Sequence, residues 1–144
     1  MADAVQGIDP RSGRPTGEPI PYTARDEIDA VVASAAAAFD AWAATPATER
    51  AAALDLIADR LDEAGDKLVE IADAETGLGP VRLAGEITRT SNQLRLFGDV
   101  LRDGGYLEAT IDHAGDTPMG PRPDLRRMLV PLGPAAVFGA SNFP

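Results

Sequence analysis

An uncharged stretch runs from Met128 to Pro144 and closes on Ser141-Asn142-Phe143-Pro144. Asn142 is the residue in it best suited to chemistry. An amide held at the carboxyl end of a strand by Phe143 and Pro144 can aim an N–H at a developing oxyanion without reorganising. The competing reading is a turn in which Asn142 satisfies local backbone groups, a common use of Asn. Phe138, Gly139, Ala140 and Ser141 lie where open parallel sheets bind ligands, outside a strand's carboxyl end. Small residues there let a flat dinucleotide approach the backbone. G-x-G-x-x-G is absent, so a close-packed strand end explains the same residues equally well.

Other chemistries find less support. Gly139-Ala-Ser-Asn-Phe143 begins like G-x-S-x-G, but Phe143 occupies the second Gly position and denies the sharp elbow. The lone histidine, His113, falls in a breaker-rich loop. One His, no Cys and scattered acids make no metal-ligand pattern. Glu49, Glu75, Glu86 and Asp99 read as helix-face charges or i,i+4 partners, with Glu49 favourably placed near a helix start. Arg122, Arg126 and Arg127 could receive a substrate carboxylate or guard a strand edge against mispairing. Phe39 and Trp42, at helical spacing, read as core or interhelix contacts.

The elements that would carry these residues can be traced from periodicity. Residues 1–22 are rich in Gly and Pro and read as turns joining short extended pieces. Thr23 and Asp26 suggest a capping box opening a helix over 24–44, with Ile28, Val31, Val32, Ala35, Phe39 and Trp42 on one face. Pro46 opens a helix over 46–64, expected to bury Ala53, Leu54, Ile57 and Leu61 against the first. Gly65 interrupts. A helix over 66–76 ends at Gly77, a left-handed cap. Pro80 starts a fourth helix to about Arg102, presenting Val81, Ala84, Ile87, Leu94, Phe97 and Leu101, and Gly104-Gly105 ends it. The period then changes. Tyr106–Asp112 and Asp124–Val130 are candidate strands around a loop from His113 to Pro123. Pro131-Leu-Gly-Pro134 leads into a third strand, Ala135 to Gly139.

Composition bounds the partners. A formal charge of −10 over 144 residues argues against nucleic acid or an anionic membrane surface. No apolar run approaches the roughly 20 residues of a membrane span. The start, Met1-Ala-Asp-Ala-Val-Gln, lacks a signal pattern, and a cytoplasmic protein is expected. A neutral strand ending abruptly would be a bare sheet edge, so further chain or another subunit is expected to cover it.

Several segments together resemble the aldehyde dehydrogenase superfamily. They are Glu49-Arg50-Ala-Ala-Ala-Leu54, Ile57-Ala58 with Leu61, Glu75-Thr76-Gly77, Glu86, and the P-L-G-x8-N-[FY]-P stretch from Pro131 to Pro144. Arg82-Leu-Ala-Gly-Glu86, Arg89-Thr90, Gln93–Phe97, Ala109–Asp112 and Arg122–Gly133 look like the branch containing α-ketoglutarate semialdehyde dehydrogenase and related fatty-aldehyde enzymes. Ser141 stands where many relatives carry Trp, but it suits this branch.

The resemblance implies an α/β parent fold, of which these residues form mainly helices, a β-hairpin and the first strand of the cofactor-binding sheet. Residues 1–105 would be the helical part of the cofactor-binding domain. Residues 106–131 would be a bridging hairpin through which subunits form a homo-oligomer, and 132–144 the first sheet strand with its oxyanion loop. Asn142 would be the oxyanion-hole amide. Phe138, Gly139, Ala140 and Ser141 would line an NAD or NADP site, and the substrate would be a small-molecule aldehyde. The family's nucleophilic cysteine would lie beyond Pro144, as the chain has no cysteine. The alternative is a non-catalytic remnant serving as an oligomerisation or interaction module.

Overall fold

The computed structural model describes residues 4–139. β1 (Ala4–Ile8) and β2 (Pro15–Pro21) form an antiparallel hairpin, with an irregularity between Val5 and Gly7. Four α-helices follow among the described residues: α1 (Arg25–Ala44), α2 (Ala47–Glu63), α3 (Gly65–Thr76) and α4 (Pro80–Asp103). A short 3-10 turn over Gly105–Leu107 leads to four three-residue strands: β3 (Thr110–Asp112), β4 (Gly115–Thr117), β5 (Gly120–Arg122) and β6 (Leu125–Arg127). β3 pairs with β6 and β4 with β5, both antiparallel. Helices with small antiparallel sheets make this a mixed α/β structure.

The helix ends follow from local chemistry. Gly77 and Gly104 close α3 and α4 at φ of 66° and 75°, the left-handed conformation that costs glycine least. Pro80 opens α4, where its missing N–H is no loss. At α1 the expected box is displaced by one residue. Ala24 is the N-cap, and its N–H donates to Glu27 Oε2 at 3.1 Å. Gly65 heads α3 rather than separating two helices, because Ala64 alone makes the bend, at φ −85° and ψ 0°.

Packing departs from the expected pairing. α2 lies chiefly against α4 rather than α1, and α3 against α4. The α2–α4 contact is a seam of small residues. Ala51 and Ala58 of α2 are fully buried, as are Ser91 and Gly98 of α4, each pair seven residues apart. A Cβ on Gly98 would come 3.1 Å from Asp55 Oδ1 and 3.5 Å from the Ala51 carbonyl. Leu83 completes the buried residues of α4. Ile87, Leu94 and Leu101 are half-buried as expected, whereas Val81 and Phe97 face outward. The predicted stripe was rotated because Ser91 and Gly98 carry no apolar signal.

Guanidinium groups flank this seam at the same heptad spacing. Arg95 Nη2 donates to Asp59 at 2.7 Å and to Asp62 at 2.8 Å. One turn pair further, Arg102 reaches Asp55 across the seam and Asp99 on its own helix at 3.1 Å. The rising α2 numbers met by falling α4 numbers make the two helices antiparallel. Arg95, and then the Ser91 hydroxyl, hold the Asp62 carboxyl below the usual carboxylate range. Arg50 Nη2 donates to the Tyr106 hydroxyl at 3.3 Å, tying α2 to the 3-10 turn.

α1 has no buried residue and no extensive contact with another element among the described residues. Trp42 is 52% exposed, so it is not a core residue, and Phe39 is half-buried. The sheets are smaller than expected. The first candidate strand shrinks to Thr110–Asp112, because Gly105–Leu107 coils into the 3-10 turn. The second shrinks to Leu125–Arg127. The loop over His113–Pro123 holds the β4–β5 hairpin, which its glycines and prolines concealed. Ala135–Gly139 forms no ladder with any described segment, so it is extended chain without strand pairing here. A strand needs a neighbour, and none of the described residues lies beside it.

Two outcomes test this seam. Gly98→Leu should lower stability by about 1–3 kcal/mol through overpacking. Gly85→Ala, with nothing within 4 Å of the new Cβ, should raise it by about 0.5–1 kcal/mol. Urea unfolding measures both. A carboxyl whose folded pKa is depressed contributes stability above its unfolded pKa and loses it as pH falls through the folded value. Asp62 should therefore make the protein less urea-resistant below about pH 4, and Asp62→Asn should flatten that acid limb.

Candidate active site

Past β6, the Leu129 N–H donates to the Leu107 carbonyl at 2.9 Å, the last backbone bond that ties this segment to the rest. Gly133 then turns the chain at φ 109°, a conformation suited to glycine. Leu132 and Val137 are fully or almost fully exposed, and Phe138 is 92% exposed. Gly139 has open space where a Cβ would stand. Ala140, Ser141 and Asn142 lie outside the described residues. Of the expected site, Phe138 and Gly139 are thus placed on an open, uncharged, extended segment.

The arginine cluster is engaged locally. Arg122 Nη2 donates to the His113 carbonyl at 2.9 Å, and its other nitrogen lies 3.9 Å from Asp112. Arg126 Nε donates to Asp124 at 2.9 Å, and His113 Nδ1 lies 3.6 Å from the other oxygen of the same carboxylate. Arg126 and Arg127 stand opposite Ile111 and Thr110 in the β3–β6 ladder. Ion pairs of this kind fit strands whose edges are guarded by charge. Glu86 and Asp99 pair with Arg89 and Arg102 at i,i+3, as helix-face charges do.

One concavity was not legible in the sequence. Between α2, α3 and α4 lies a cleft of about 300 Å³, walled by Leu61, Leu68, Val69, Ile71, Leu83 and Ile87. Glu75, Glu86 and Thr90 provide its polar members. Its signal was indirect: α3 carries more apolar side chains than one helix contact can cover. Among the described residues, no three His, Cys, Asp or Glu side chains gather as a metal site. No described helix is long and apolar enough to cross a membrane.

Comparison with known proteins assigns the class. The profile of the aldehyde dehydrogenase family matches residues 2–144, and the chain belongs to that family. It is similar to α-ketoglutaric semialdehyde dehydrogenase 2 of Azospirillum brasilense, with 48% identity over 99% of this chain and 28% of that protein. The α-ketoglutaric semialdehyde dehydrogenase of Acinetobacter baylyi is 42% identical over 99% of this chain and 27% of its own length. Among solved structures, an NAD-dependent benzaldehyde dehydrogenase from Corynebacterium glutamicum superposes with a TM-score of 0.68 at 26% identity. That match covers 80% of this chain and 24% of that one. The chain spans about a quarter of the length of the relatives it matches.

A dinucleotide is the cofactor that this family implies. Pro134–Gly139 fit one in two respects: they carry no charged side chain, and Gly139 leaves its backbone approachable.

Proposed function

We propose that this chain is the N-terminal portion of an NAD(P)-dependent aldehyde dehydrogenase that oxidises a small aldehyde to a carboxylate. α-Ketoglutarate semialdehyde is the substrate favoured. The observation that carries this reading is the 48% identity along 99% of the chain to a protein bearing that activity in its name. The exposed surface supports it. The chain exposes 11343 Å², whereas a compact monomer of its mass exposes roughly 7,000 Å². Val31, Val32 and Trp42 on α1, and Leu96 and Phe97 on α4, are each more than half exposed. Side chains of this size are ordinarily buried, which suits a body completed by further chain.

In this reading a cysteine outside these residues attacks the aldehyde carbonyl, and Asn142 donates its amide N–H to the oxyanion that forms. A donor already aimed at that oxygen needs no reorganisation at that moment. Phe138, Gly139, Ala140 and Ser141 line the dinucleotide. That cofactor, when bound, supplies the hydride acceptor. The chain's own contribution would be backbone at Gly139 and Ala140 with little side chain to hold the flat group away. The two antiparallel ribbons β3–β6 and β4–β5 are short and exposed, and would extend through pairing with a second copy into a homo-oligomer. The protein would work in the cytoplasm.

Two measurements on the intact enzyme bear on these roles. Asn142→Ala should lower kcat roughly 100-fold or more while cofactor affinity changes little; an unchanged kcat would remove the oxyanion role. Arg126→Glu together with Arg127→Glu should shift the assembly toward smaller species on sizing, with little effect on per-site chemistry. An unaltered elution volume would dismiss pairing through this hairpin.

A further inference from the structure

We draw no further inference here: the strongest candidate, the apolar cleft between α2, α3 and α4 with Glu75 and Glu86 at its polar side, carries none, because the chain spans about a quarter of its relatives' length and nothing in the structure shows what covers that face.

Discussion

The close approach of α2 and α4 is the constraint on which the rest of the described structure depends. Ala51, Ala58, Ser91 and Gly98 are the small buried residues of this contact, and a Cβ on Gly98 would come 3.1 Å from Asp55 Oδ1 and Arg102 Nη1, closer than an ordinary contact. Small residues bury little area each, so the seam gains less from the hydrophobic effect than a leucine interface would. It gains instead from dispersion at close range and from the flanking charges. Arg95 and Arg102 bridge to Asp55, Asp59 and Asp62 only when the helices are antiparallel and in this register. A slip of one turn would leave guanidinium groups facing the wrong carboxylates. Exposed pairs of this kind contribute little energy singly, and their value here is in selecting one register.

Much of this was legible in the residues, and the failures have a common cause. Helix boundaries were recoverable because they are written in local chemistry: Pro80 at a start, Gly77 and Gly104 at ends, apolar side chains at the 3.6 period. Helix partners were not, because partner choice is tertiary. The apolar stripe of α1 was expected to pack against α2, and apart from the half-buried Phe39 it faces outward. The true seam is carried by Ala, Ser and Gly, which register weakly in any apolar pattern. Its signature was present as a double heptad, Ala51/Ala58 and Asp55/Asp62 against Ser91/Gly98 and Arg95/Arg102. The β4–β5 hairpin was hidden for a similar reason. Gly115, Gly120 and Pro121 read as breakers, yet they sit within three-residue strands, with Gly120 at the turn at φ 114°. The motif from Pro131 onward, with the helical segments before it, pointed to the family that the comparison shows. The extended chain at Phe138 and Gly139 could not be placed by sequence, since a strand is defined by a neighbour.

Taken together, the structure has a firm centre and open flanks. α2, α3 and α4 pack on one another at its centre. The amino-terminal hairpin, α1 and the segment after β6 are attached to it lightly and carry the large exposed apolar side chains. In a family member several times longer, these are the surfaces that further chain would cover. Of the candidate active-site residues, Phe138 and Gly139 fall on one of these open flanks. Under the proposed function, a body on the other side of the Ala135–Gly139 segment would supply both the cysteine and the rest of the dinucleotide site.

The most direct test of that account is aldehyde-dependent reduction of NAD or NADP by the native-length protein, measured before and after thiol alkylation. Because residues 1–144 contain no cysteine, alkylation can act only on chain outside them. The account predicts turnover with a semialdehyde that alkylation abolishes. Turnover unaffected by alkylation, or none with any aldehyde and either dinucleotide, would contradict it.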